Sequence, residues 1–377
     1  MKIEVFAMER MQSTYENLVE FNLSESGVHP MRVSELFDTQ AERDAFLEQE
    51  ICYTQSNGTV ELRAAIASLY AGATIEHVEV TNGGSEANFV VCWRLLEPGD
   101  EVVMMVPNYG QTLGLAKGFA GTMHEWALVA DEQEGRWRPD LDRLSSLVNA
   151  RTKLIVICNP NNPTGGRIRA SELDAIAAIA ARHGCYVLAD EIYRGAEVDG
   201  VETASMWGRY ERTIVTSGLS KAYGLPGLRI GWIVGPPSLV ASTWSYHDYT
   251  SIAPGALSDR LARVALQPAR REQILNRTRS IIRTNLPVIT EWLSARSANF
   301  SYLMPEAGAI IYARYRLPVN STELVNRLRE EKSVLIVPGD HFGMDGYLRI
   351  GIGPETGYLR KGLDRVEELL QAIGAEA

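Results

Sequence analysis

The stretch Ser217-Gly-Leu-Ser-Lys-Ala-Tyr-Gly-Leu-Pro-Gly-Leu-Arg-Ile-Gly-Trp232 decides the reading of this chain. Lys221 stands among small residues, with hydroxyls just before it and Arg229 eight positions after it. A lysine joins an aldehyde only as the neutral amine, so that role requires its pKa to fall well below the ordinary value of about 10.4. Small neighbours let a planar molecule approach, and Ser217, Ser220 and Arg229 are suited to hold an anionic group beside it. A solvated surface charge is the ordinary state of a single lysine. The rest of the chain decides between the two.

Three further segments stand out from there. Cys158-Asn-Pro-Asn-Asn-Pro-Thr-Gly-Gly166 follows the apolar run Leu154-Ile-Val-Ile157. Val187-Leu-Ala-Asp-Glu-Ile-Tyr193 ends a second apolar run with a carboxylate, and Thr81-Asn-Gly-Gly-Ser-Glu-Ala87 is a glycine turn leading into a helical pattern. Around them the pattern predicts strands at Val78–Thr81, Glu101–Val106, Leu154–Cys158, Tyr186–Ala189, Thr213–Thr216 and Ile230–Val234. Helices are predicted at Val60–Tyr70, Ser85–Leu96 and Ser171–His183. Unbroken apolar strands separated by helices imply a sheet covered on both faces, hence a largely parallel α/β fold. After about Ser251 the texture changes to longer charged helices (Leu257–Leu266, Arg270–Ser294, Ser321–Lys332, Glu355–Ile373). Between them lie strands at Ile310–Tyr315, Ser333–Val337 and Tyr347–Ile352, which reads as a smaller α+β domain. No GxGxxG follows a strand, so a dinucleotide-binding dehydrogenase is not expected.

With 377 residues, 45% hydrophobic and 22% charged, the chain has ample capacity for a core and the balance of a soluble globular protein. Its net charge of −10, with no lysine/arginine cluster, argues against nucleic acid. Cys52, Cys92, Cys158 and Cys185 are scattered, without metal-ligand spacing, and are expected to be buried, inert thiols in a reducing cytoplasm. No signal-peptide core and no apolar run of about 18 residues is present, so neither export nor a membrane span is expected.

Taken together, the four segments resemble the class I/II aminotransferases, the fold type I family of pyridoxal-phosphate (PLP) enzymes. The resemblance runs from about Tyr53 to Arg349 in the family's order. It implies an N-terminal arm with part of the small domain at 1–48, a large PLP-binding domain at 49–250, and a small C-terminal domain at 251–377. It also implies a homodimer with shared active sites, and amino acid and keto acid substrates.

By the same resemblance Lys221 carries pyridoxal 5'-phosphate as an imine and Asp190 pairs with the protonated ring nitrogen. Asn162 and Tyr193 bond the cofactor's phenolic oxygen. Gly84, Ser85 and Glu86, at a helix start with open N–H groups, form the phosphate cup with Ser217, Ser220 and Arg229. Ser85 read alone is equally an N-cap. Tyr53 reaches the neighbouring subunit's phosphate, its bland alternative being a core aromatic. Tyr109 stacks on the ring, with Ile192 on the opposite face. Arg349 clamps the substrate α-carboxylate, helped by Asn162, Ser26 and Gly27. No metal is called for.

Two departures from the family pattern stand out. Leu23-Ser-Glu-Ser-Gly-Val-His-Pro30 replaces the usual Gly-x-Pro turn, and no second arginine presents itself for a side-chain carboxylate, Arg314 and Arg316 being unassigned. The Ser-Gly-Val element and the lysine segment also resemble capreomycidine-synthase-like enzymes. A PLP-dependent cyclase or lyase acting on an amino acid is therefore the alternative to transamination. PLP-sensing transcription regulators need a DNA-binding domain for which the residues before Tyr53 show no pattern.

Overall fold

Glu101–Val106, Thr152–Cys158, Tyr186–Asp190 and Thr213–Gly218 are apolar runs buried almost throughout. They pair parallel in the computed structural model, which describes residues 3–376. Thr122–Asp131 extends the parallel set on one side and Arg136–Pro139 folds back antiparallel at that edge. On the other side Gly231–Val234 and then Val78–Thr81 pair antiparallel, completing an eight-stranded mixed sheet. The strand expected at Ile230–Val234 thus runs against its neighbours. Its connection from Gly218 is the lysine loop, which holds only the short 3-10 turn Pro226–Leu228 and no crossover helix.

Alternation along the central strands sends side chains to two covered faces. Val102 and Met104 pack with Val90, Val91 and Leu95 of the helix Gly84–Leu95. Val103 and Met105 share the opposite core with Leu173 and Ile176 of the helix Ala170–His183. Each such side chain, fully buried, contributes about 1.5–3 kcal/mol of transfer free energy. Gly184, in the left-handed region at φ +66, caps that helix and turns the chain into Tyr186–Asp190.

The C-terminal region forms a four-stranded antiparallel sheet in the order Phe300–Tyr302, Ile310–Tyr315, Tyr347–Gly351, Val337–Pro338. The single strand expected at Ser333–Val337 is broken in two. Ser333 caps the preceding helix at φ +54. Val334–Leu335 then pairs with Phe21–Asn22 of the N-terminal arm, and Val337–Pro338 pairs with Tyr347–Gly351. The arm also contains a helix, Ala7–Tyr15, that the pattern had not predicted.

The expected domain bounds at Met1 and Ala377 lie outside the described residues. Cys92, Cys158 and Cys185 are buried free thiols, whereas Cys52 is exposed, against expectation, in an irregular segment outside any helix or strand. Among the described residues no helix is long and apolar enough to cross a membrane.

Candidate active site

At the C-terminal ends of the parallel strands the two sheets and the arm enclose a cavity of about 320 Å³. Its lining includes Ser26, Gly84, Ser85, Tyr109, Asn162, Asp190, Tyr193, Ser220, Lys221, Arg229 and Arg349.

One end of the cavity is built from glycine. Gly83, at φ +95, caps the helix Gly84–Leu95, and the first helical bond runs from Ala87 N–H to the Gly83 carbonyl. The amides of Gly84, Ser85 and Glu86 are therefore free of helical partners. A Cβ on Gly83 would stand 2.3 Å from the Arg229 guanidinium, and one on Gly231 2.3 Å from the Gly83 carbonyl carbon. Arg229, itself left-handed at φ +49, reaches Ser220 Oγ at 3.5 Å and donates to the Pro226 carbonyl at 3.2 Å.

Two residues expected in this cup turn their side chains elsewhere. Ser217 is buried and donates to the Glu191 carbonyl at 3.1 Å, outside the cavity lining. The Glu86 carboxylate faces His247 at 3.2 Å and accepts from Ser251 Oγ at 2.6 Å, which leaves only its backbone toward the cup.

The other end is acidic and aromatic. Asp190 ends its strand with Oδ2 accepting from Asn88 Nδ2 at 3.0 Å and Oδ1 from the Ile192 N–H at 3.1 Å. Burial pushes this carboxyl up, and the two bonds only partly oppose it. Asn88 is held in turn by the Thr216 hydroxyl at 2.7 Å. The pattern did not single out Asn88. Its signal was its place one turn after Gly84, a polar residue on the buried face of that helix.

Tyr193 donates to Ser26 Oγ at 2.8 Å. Tyr109 donates to Glu9 at 2.8 Å, with Phe6 edge-on at 4.9 Å. In the asparagine turn, Asn161 accepts from Thr164 Oγ1 at 2.7 Å and Asn159 from the Ile168 N–H at 2.9 Å. Those two hold the turn, and Asn162 is left to face the cavity.

Arg349 is fully buried yet has no carboxylate partner among the described residues. Nη1 donates to Asn162 Oδ1 at 3.0 Å, Nη2 to the Ser24 carbonyl, and Nε is unpartnered. Desolvation lowers its pKa. Lys221 departs from expectation: its Nζ meets Glu25 Oε1 at 2.5 Å. Burial is the largest influence and would depress the amine, but the charge and hydrogen bond of Glu25 together with Tyr193 overcome it and raise the lysine above its ordinary value. Glu25, held low by Lys221, was missed because nothing in its local pattern marks it. Also missed were Met8, Glu9, Gln12, Ser13 and Glu16, which line the cavity from one face of Ala7–Tyr15 and the residue after it. Their recurrence at three- and four-residue spacing was the available signal.

Gly27 is buried and outside the cavity lining, its Cβ position 3.7 Å from Lys221 Cδ. Tyr53 is 91% exposed, which rules out the core-aromatic reading. Arg314 and Arg316 are exposed and outside the cavity, Arg316 donating to the Ser297 carbonyl at 3.0 Å.

The sequence profile described as aminotransferase class I and II matches residues 39–366. The chain belongs to that family. Capreomycidine synthase of Streptomyces vinaceus is 31% identical, over 93% of this chain and 89% of the relative. An aspartate aminotransferase of Streptomyces avermitilis is 30% identical, over 84% and 81%. A PLP-dependent aminotransferase structure from Streptococcus suis superposes with TM-score 0.91 at 30% identity, covering 99% of each chain.

Class I and II aminotransferases use pyridoxal 5'-phosphate, and the cavity suits it. Three free amides and Arg229 face one end, as a phosphate requires. At the other end lies a carboxylate whose burial favours an N–H donor. The Lys221 amine and the Arg349 guanidinium, with its orphaned Nε, line the same cavity.

Proposed function

We propose that this class I and II enzyme is an aminotransferase, moving an amino group between an L-amino acid and a 2-keto acid with PLP held by Lys221. The observation that carries the reading is Arg349. A buried guanidinium with no anionic partner is costly, and a substrate carboxylate would neutralise it and satisfy Nε.

In this reading the amides of Gly84, Ser85 and Glu86, with Ser220 and Arg229, hold the phosphate. Ser217 supports the cup through its bond to Glu191. Tyr109 and Ile192 flank the ring, and Asn162 and Tyr193 bond its phenolic oxygen. Asp190, kept in place by Asn88, holds a proton on the ring nitrogen. Arg349, Asn162, Ser26 and Gly27 orient the amino acid. When bound, the cofactor supplies an electron sink that weakens the substrate's Cα–H bond. With the cofactor bound, the Lys221 amine would take that proton from Cα and deliver it to the cofactor's C4′, and the arm covering the cavity would exclude water.

We also propose the division at 49–250 and a homodimer to which Tyr53 of a second copy contributes. Exposed Ile51, Tyr53, Tyr249 and Ile252 support it, since Thr54 Oγ1 ties the two segments together by its bond to the Pro254 carbonyl, 2.7 Å.

A cyclase or lyase is the second reading, favoured by one observation besides the capreomycidine synthase relative. Glu9, Glu16 and Glu25 face the cavity, and among the described residues no arginine beyond Arg229 and Arg349 lines it. Such a wall repels a side-chain carboxylate. Incubating holoenzyme with each common amino acid and following the cofactor's absorbance tests the choice. Conversion to the pyridoxamine form supports transamination; conversion by none sinks it. A Lys221→Ala variant that kept the visible cofactor band would sink both.

A further inference from the structure

Glu25 is fixed independently of the lysine it meets. Its Oε1 accepts from the backbone N–H groups of Ser26 at 2.8 Å and Gly27 at 3.0 Å, the same oxygen that faces Lys221 Nζ. The segment that carries it is clamped to the strand Tyr347–Gly351. Gly351 N–H donates to the Leu23 carbonyl at 2.7 Å, and His29 N–H to the Gly353 carbonyl at 2.8 Å. A Cβ on Gly351 would stand 2.1 Å from the Glu25 carbonyl oxygen, and one on Gly353 1.9 Å from that of Gly27. Backbone packs directly on backbone there, so the carboxylate stays in place when the lysine swings away.

We propose that Glu25 is a positioning residue that holds the proton-carrying form of Lys221, strengthening that amine as a base and setting the pH at which it becomes a nucleophile. The proposal rests on Lys221 being the cofactor lysine. When Lys221 takes the substrate's Cα proton, the electron pair of the broken C–H bond stays with the substrate. The new ammonium donates to Glu25 Oε1, which stabilises the charge created. In the capture of the aldehyde the order reverses. The ammonium gives one proton to solvent, the neutral amine bonds the aldehyde carbon, and its two hydrogens leave with the carbonyl oxygen as water. Glu25 delays that loss. The other charged or titratable groups facing Lys221 are Tyr193 after the strand ending at Asp190, Arg349 across the cavity, and Glu16 beyond the arm helix. Arg349 acts against the ammonium. Among the described residues Glu25 is the one anion in hydrogen-bond contact.

The test is the rate at which full-length apoenzyme captures added pyridoxal phosphate, followed by visible absorbance across pH, for the native chain and Glu25→Gln. Removing the charge is expected to move the midpoint at least about one pH unit lower, making capture roughly tenfold faster below both midpoints. Superimposable profiles would overturn the proposal. If Glu25→Gln does not fold, the native chain answers the same question through the pH dependence of Lys221 acylation, read by peptide mass spectrometry. A midpoint above about 10.4 agrees with the proposal, and one at or below it overturns it. Neither outcome touches the proposed function, which fails separately if Lys221→Ala keeps the cofactor band.

Discussion

Asn88 Nδ2 donates to Asp190 Oδ2 across 3.0 Å, and among the described residues no other side chain bonds that carboxylate. Burial raises Asp190, and this bond, with the one from the Ile192 N–H, favours the ionised form and aims the group. Asn88→Ala removes it and leaves a buried acceptor unpaired, at about 1–3 kcal/mol. Cofactor retention is expected to weaken on the order of tenfold, measured by equilibrium dialysis. Unchanged retention would remove Asn88 from the site.

Arg349→Lys tests the carboxylate receptor. Lysine keeps the charge and loses the planar fork, so KM for the amino acid is expected to rise on the order of tenfold, with a smaller change in kcat. Steady-state kinetics with two unrelated amino acids checks it, since an α-carboxylate contact must affect both alike.

Gly231→Ala puts a Cβ 2.3 Å from the Gly83 carbonyl carbon and 2.4 Å from the Gly84 nitrogen. The glycine turn must move, costing about 1–3 kcal/mol of stability and loosening the phosphate end. The urea midpoint and the cofactor dissociation rate should both shift. Gly227→Ala, with nothing within 4 Å of the added atom, should shift neither.

Glu86 carries a pH signature. Burial would raise it, but bonds from His247, Ser251, Thr250 and Asn82 win and hold it at about 2, against the ordinary 4.5. A depressed carboxyl stabilises the fold above its unfolded pKa and loses that contribution as pH falls. Glu86→Gln is therefore expected to lower the denaturant midpoint at pH 6, with the gap closing as pH drops from 4.5 toward 2. A gap constant across that window would contradict the assignment.

Much of the site was legible because its parts sit at the ends of regular elements. Asp190 closes an apolar strand, Gly84 opens a helix, and Asn162 and Lys221 lie in turns whose composition is distinctive. Arg349 showed itself as a charge within a strand pattern. What stayed hidden depends on contacts between residues far apart in sequence. Glu25 matters through a lysine 196 positions away, and the face of Ala7–Tyr15 matters only because the arm folds over the cavity. Lys221 shows the limit most clearly. The imine role asked for a depressed amine, but Glu25 and Tyr193, from other parts of the chain, together raise it against burial.

The glycines at 351 and 353 have a consequence for how the molecule comes into being. Residues 23–28 take their backbone clamp from the strand Tyr347–Gly351 and the residues just after it. During synthesis the large sheet has all its strands before that seat exists. A molecule cut before Tyr347 would keep its central scaffold and the lysine. It would have neither the Arg349 guanidinium nor the strand that seats Glu25, so the lysine would stand without both.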